Sequence, residues 1–374
     1  MPLKDKILNL RTLYILIPFL FGLFYDFTVY LVATIFIGIL IKDLIKNNGI
    51  KIYFNYCFLS ILILTIATLL TCIWAIDKQD AILGFFRILT LFLFTIILMN
   101  REKEYIEESY KIIPISGIIM VLISIIIKFI PNLSEYLYSD NGRLGGFFQY
   151  SNTFALYLLI GINVLLHSNK KIKYILVQIF ILLVGILLTG SRAIFLLTIL
   201  SFIIFLFVDK SIKEKIKIFS ILIIVILISL IVIFSTNSFE TIGRYLTISL
   251  NSSTLWGRII YYKDALNLLK NNIFGYGYMG YSYIYRTIQT ANYSTQFVHN
   301  DFLQLALDYG IIPMIIFLGA IVYSIFSKKT DMLQKIILII MFLHMFIDFD
   351  LHFLVIFLIL IAMQDLSNQK DKEI

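Results

Sequence analysis

Charge is what this 374-residue chain has least of: charged residues make up 14% against 60% hydrophobic ones. A soluble domain carries roughly a quarter charged residues, so a water-soluble globule is excluded. Cysteine is nearly absent. Cys57 and Cys72 fall in one apolar run, which rules out a zinc cluster or a disulfide framework. Regular alternation of apolar and polar residues is missing too, and with it the membrane β-barrel. No internal repeat and no nucleotide-binding fold can be read along the chain.

What is present is a series of apolar runs, each long enough to cross hydrocarbon as helix. They fall at 12–24, 27–41, 53–74, 82–99, 110–130, 152–167, 172–189, 192–208, 216–235, 301–327, 333–347 and 351–364. The expectation is an all-α polytopic membrane protein of about twelve transmembrane helices. It forms a single integral membrane domain over 1–374, with one long external loop at 236–299 between the ninth and tenth spans. The first run follows Lys4, Lys6 and Arg11 without a small-residue cleavage site, and reads as a retained helix.

Basic residues then orient the bundle. Lys42, Lys46, Lys51, Arg101, Lys103, Lys111, Lys170, Lys171, Lys173, Lys210, Lys213, Lys215, Lys217, Lys328, Lys329, Lys335, Lys370 and Lys372 fall on the side of the N-terminus. Positive charge collects on the cytoplasmic face, so in the cytoplasmic membrane both termini are expected on the cytoplasmic side and the long loop outside. The net charge of +8 thus reflects topology and contact with membrane lipid rather than nucleic acid. The opposite face is rich in arginine: Arg143, Arg192, Arg244, Arg258 and Arg286. Arginine's planar fork grips phosphate bidentately, whereas lysine acts as a point charge. The plain alternative is that these side chains reach for the interface.

Polar clusters on the outer side carry the candidate chemistry. Asn141-Gly142-Arg143-Leu144-Gly145-Gly146 precedes Gln149-Tyr150-Ser151-Asn152; it is either a close backbone approach to a ligand or an ordinary glycine turn. In Gly190-Ser191-Arg192-Ala193, Ser191 is placed to cap a helix and Arg192 stands at its first turn, an anion site. From Thr254 to Lys270 helical spacing puts Arg258, Tyr262, Ala265 and Leu269 on one face and Trp256, Ile260, Lys263 and Asn267 on another. This reads as an amphipathic helix on the outer membrane surface. Gly275-Tyr276-Gly277-Tyr278-Met279-Gly280 spells a dinucleotide fingerprint but lacks its strand and helix, so it is read as a loop. His299-Asn300-Asp301 sets an imidazole where the loop re-enters the membrane, and histidine can act as a base near neutral pH. Asp348-Phe349-Asp350 is a divalent-metal pair, a polar turn, or the source of a carboxylate that orients His299. Arg87 and Lys128, inside spans, lean functional.

The order of these motifs resembles the O-antigen ligase/polymerase family: Arg143 with Gly145-Gly146, Ser151-Asn152, Gly190-Ser191-Arg192-Ala193, Trp256-Gly257-Arg258, Gly275-Tyr276-Gly277 and His299-Asn300-Asp301. The resemblance covers roughly residues 140–315. It implies a multi-spanning (GT-C type), inverting and metal-independent glycosyltransferase without cofactor. The implied donor is a glycan on undecaprenyl diphosphate, and the acceptor another glycan or lipid-linked glycan, on the outer face. Arg192 and Arg258 match the diphosphate-binding arginines and His299 the catalytic base. Arg143, Asn300, Asp348 and Asp350 stand as supporting residues. Ligase and polymerase share this donor chemistry. The rival readings are a twelve-span transporter or flippase for a polyprenyl-linked glycan, and a metal-dependent lipid-phosphate enzyme.

Overall fold

In lipid the backbone has no partner but itself, so continuous apolar runs fold as helices. A computed structural model describes residues 9–47, 49–139, 141–168, 171–207, 211–213, 215–220, 223–224, 227 and 253–366. Among them regular structure is helical, with no strand beyond one isolated bridge between Tyr138 and Leu144. Arg244, most of the expected 216–235 span and the loop up to residue 252 lie outside the described residues.

Among the described residues four helices are long and apolar enough to cross a membrane: Asp26–Asn47, Lys78–Met99, Lys103–Ile127 and Ile172–Thr189. Shorter apolar helices follow at Leu10–Phe19, Tyr56–Thr71, Ser151–Leu166, Arg192–Phe205, Ile311–Phe326, Met332–Met345 and Leu354–Met363. The chain is an all-helical membrane protein, although these lengths do not establish a count of twelve.

Two of the expected spans are interrupted. The first runs as α-helix only over Leu10–Leu16. It then tightens into a 3-10 turn at Ile17–Phe19, where Pro18 sits at the start, and Gly22 takes φ 60°. The stretch expected at 301–327 is two helices, Asp301–Tyr309 and Ile311–Phe326. Gly310 divides them at φ 100°, a conformation other residues adopt only under strain.

The chain separates into two compact units, Met1–Gly22 with Glu107–Ser249, and Leu23–Ile106 with Leu250–Ile374. The first is built around Ser151–Leu166, whose residues from Thr153 to Leu166 are all buried. A helix apolar on every side belongs inside a bundle; this one packs against Ile172–Thr189 and Ile113–Ile127. Small residues permit the close crossing: a Cβ on Gly185 would lie 2.5 Å from Val121 and 2.8 Å from Leu158.

In the second unit Leu354–Met363 is the fully buried helix, packed on Lys78–Met99 and Met332–Met345. Arg87, interior to Lys78–Met99, is buried and bonds outward. It donates to the Phe24 carbonyl at 2.8 Å, to Asp26 at 2.9 Å and to the carbonyls of Leu23 and His352. This intramembrane charge is therefore a structural clamp between chain segments. In the first unit Lys128 is exposed and lies 5.6 Å over the Tyr138 ring.

Candidate active site

The polar stretch after residue 252 folds as predicted from its spacing. Ser253–Asn271 is helical, and Ala265, Leu268 and Leu269 on its inner side are buried with Tyr281, Tyr285, Val298, Ala306 and Leu307. Burial of each leucine is worth about 2 kcal/mol. Trp256, Lys263 and Asn267 are exposed. The helix's apolar side is covered by the helices Gly280–Ile288 and Asp301–Tyr309, which give it a protein partner of its own.

Gly275 and Gly277 explain how the return loop seats. Both have positive φ, 85° and 86°. The amides of Tyr276 and Gly277 donate to the carbonyls of Leu307 and Asp308 at the end of the Asp301–Tyr309 helix. A Cβ on Gly275 would come within 2.7 Å of the Gly310 nitrogen, and one on Gly277 would overlap Ala75. These glycines serve close backbone docking.

The loop then delivers His299 in a left-handed conformation, φ 57°. Such a backbone is strained for a side-chain-bearing residue and persists only where its surroundings hold it. Three bonds do so. The Tyr262 hydroxyl lies 2.7 Å from the His299 carbonyl and 2.9 Å from that of Phe346. Asn300 caps the next helix by accepting from the Leu303 amide, and its amide group donates to the Phe346 carbonyl. Gln304 accepts from the Val298 amide at 3.1 Å. The imidazole rests edge-on against Phe349, centroids 5.0 Å apart, and Phe349 stacks on Phe297.

Asp348 meets this imidazole. Its Oδ1 lies 3.2 Å from His299 Nδ1, and its Oδ2 accepts from Arg258 Nη2 at 3.3 Å. The carboxylate is 1% exposed, whereas His299 and Arg258 side chains are 22% and 17% exposed. Burial alone would raise the Asp348 pKa. The hydrogen bond from His299 and the charge of Arg258 outweigh it and hold the carboxyl below its ordinary range. An ionised carboxylate only accepts, so Nδ1 carries the proton and the free lone pair of a neutral ring is on Nε2. Three groups distant in sequence thus form one unit: a buried carboxylate, an imidazole and a half-buried guanidinium.

Asp350 is not part of it. Its carboxylate bonds to His344 Nδ1, both side chains buried. The two aspartates therefore face separate partners and do not converge as the paired metal donors considered above. Among the described residues no group of three or more His, Cys, Asp or Glu could hold a metal.

Arg192 and Arg143 belong to the first unit. Arg192 opens the helix Arg192–Phe205 and is half-buried. Ser191 is its N-cap by position, yet its side chain makes no capping bond, contrary to expectation; Gly190, at φ 62°, ends the preceding helix. Arg143 donates from Nε to the Thr189 carbonyl at 2.8 Å and from Nη2 to Asn152 at 2.7 Å. It ties the glycine turn to the end of Ile172–Thr189. Gly146 in that turn leaves room for the Phe154 ring. In the second unit Arg286 is exposed and donates to the Tyr285 hydroxyl.

Residues 177–318 match the family model described as O-Antigen ligase. The resemblance carried by the motifs is borne out over this stretch. Arg192, Arg258, His299 and Asn300 fall inside the matched segment; Arg143, Asp348 and Asp350 fall outside it. No curated protein and no solved structure matches the chain.

Sequence reasoning gave Tyr262 a place on the Arg258 face but no task, and gave Tyr261 none. Both follow Arg258 at helical spacing, at i+3 and i+4, and so share its face. That was the available signal.

Proposed function

We propose that this protein transfers a glycan from a polyprenyl-linked diphosphate to a hydroxyl of an acceptor glycan or lipid-linked glycan, at the outer face of the cytoplasmic membrane. The O-antigen ligase domain supports a glycan-transferring function of ligase or polymerase type. The observation that carries the finer reading is His299, partly exposed, bonded to the buried Asp348, with Arg258 on the same carboxylate.

The chemistry follows from that arrangement. Nε2 of His299 takes the proton as the acceptor oxygen bonds to the anomeric carbon. The bond from that carbon to the diphosphate oxygen breaks, and the electron pair leaves on the diphosphate. One direct displacement inverts the anomeric centre. Asp348 keeps Nδ1 protonated and stabilises the imidazolium that forms. Arg258 spends one contact on Asp348, and its remaining donors can meet the departing charge. Arg192 enters the reading through its motif alone, as a second diphosphate ligand. None of these steps calls for a metal.

Product analysis tests this. Purified protein in lipid nanodiscs receives a synthetic polyprenyl-diphosphate glycan, with and without a lipid-linked glycan acceptor. The expected result is a new glycosidic bond, equal free polyprenyl diphosphate, and the same rate in chelator. Intact donor would contradict transfer and return the transporter reading.

A further inference from the structure

A base and an anion site do not by themselves position a sugar, and the geometry around His299 supplies what is missing. Tyr261 shares the face of Arg258 on the Ser253–Asn271 helix. Its ring centroid is 6.2 Å from that of His299 and 4.5 Å from that of Tyr293. It is half-buried, and its hydroxyl has no hydrogen-bond partner among the described residues.

Tyr293, behind it, is fixed. Its hydroxyl donates to Asp264 at 2.7 Å, and its ring stacks on Tyr285 at 5.7 Å. Asp264 is fully buried and also accepts from the amide and hydroxyl of Thr290, at 3.0 and 2.9 Å. Burial, then the bond to Asp264, raises the Tyr293 pKa and keeps the phenol neutral. A buried carboxylate is thus committed to pinning the segment that carries one aromatic ring against another. That is costly unless the ring's position matters.

We propose that Tyr261, braced by Tyr293, is the platform on which a sugar ring of the acceptor glycan stacks beside His299. This rests on the transfer reading above. A pyranose presents a C–H face that an aromatic ring accepts without polar partners, leaving its hydroxyls at the rim for directed bonds. A ring laid on Tyr261 turns one rim hydroxyl toward the imidazole. The ring beside the base is the acceptor's, since that hydroxyl loses its proton, while the donor's leaving group belongs to Arg258.

Two measurements on the full-length protein in nanodiscs separate this from the transfer reading. The first is saturation-transfer NMR with cellobiose, chitobiose and N-acetyllactosamine as probes. Wild type, Tyr261→Phe and His299→Ala are expected to saturate the ring C–H protons, and Tyr261→Ala to lose that signal. No signal from wild type, or an unchanged signal from Tyr261→Ala, overturns the platform. The second is steady-state transfer. Tyr261→Ala should raise the acceptor KM about tenfold with kcat held within about twofold, and Tyr261→Phe should restore it. An unchanged KM removes the platform and leaves transfer standing. Sugar contact that depends on Tyr261, with no bond formed by wild type, supports the platform and removes the transfer reading.

Discussion

At the scale of single residues, one buried carboxylate joins two partners: Asp348 lies 3.2 Å from His299 Nδ1 and accepts from Arg258 Nη2 at 3.3 Å. His299 announces itself because it ends a long polar interruption in an apolar chain. Asp348 is 49 positions away and left three readings open; only the approach of the 346–349 connection to the loop decides among them. Asp348→Asn should lower transfer by about 10²-fold or more, because an amide can hold the wrong ring tautomer. It also leaves Arg258 without its anion. The pH dependence has a definite sign. The folded pKa lies below the unfolded one, so the contribution of Asp348 is present above the ordinary carboxylate value and drains as pH falls through the folded one. The difference in thermal midpoint between wild type and Asp348→Asn should be constant from about pH 5 to 8 and shrink below about pH 4. A difference that widens in acid would contradict it. Tyr262→Phe isolates positioning from chemistry. It removes the hydroxyl beside the His299 and Phe346 carbonyls, worth about 1 kcal/mol, so kcat should fall about fivefold while acceptor KM stays put. Equal kcat would show that His299 needs no such brace.

At the scale of elements, periodicity did well wherever one face decides the structure. Helix bounds such as Ile172–Thr189 coincide with the apolar run, and the amphipathic helix after residue 252 buries the face its spacing marks. The failures are tertiary. Nothing local in 301–327 says that Gly310 adopts φ 100° and splits the run, and an amphipathic pattern cannot say whether lipid or protein covers it. The letters of the fingerprint at Gly275–Gly280 lack its full context: the helix Ser253–Asn271, not a strand, precedes them, although the helix Gly280–Ile288 does open at the last glycine where none was expected. What those glycines do becomes visible only in the docking on Leu307 and Asp308. Gly277→Ala should therefore cost about 1–3 kcal/mol, combining a disallowed φ with overlap on Ala75. Gly257→Ala, whose added carbon meets Tyr261 at 3.5 Å or more, should be neutral or stabilising, as expected in a helix. Thermal unfolding of the two variants checks the contrast; equal losses would show that the loop is not held by close approach.

At the scale of the whole molecule, composition established a helical membrane protein, and the family match supports its kind of chemistry. The sidedness comes from lysine distribution, an argument about insertion that a folded structure does not repeat. It has its own check. Thr287 is exposed on the Gly280–Ile288 helix; Thr287→Cys, in a background freed of Cys57 and Cys72, should react with an impermeant maleimide added outside intact cells. Labelling only after permeabilisation would invert the topology. The central claim remains that one imidazole, aimed by a buried carboxylate, starts the transfer. Its most direct test is the single-turnover rate of His299→Ala with bound donor and acceptor, beside its thermal midpoint. The account predicts a rate lowered by about 10²–10⁴-fold in a protein that is still folded; a folded variant that forms the glycosidic bond at the wild-type rate would contradict it.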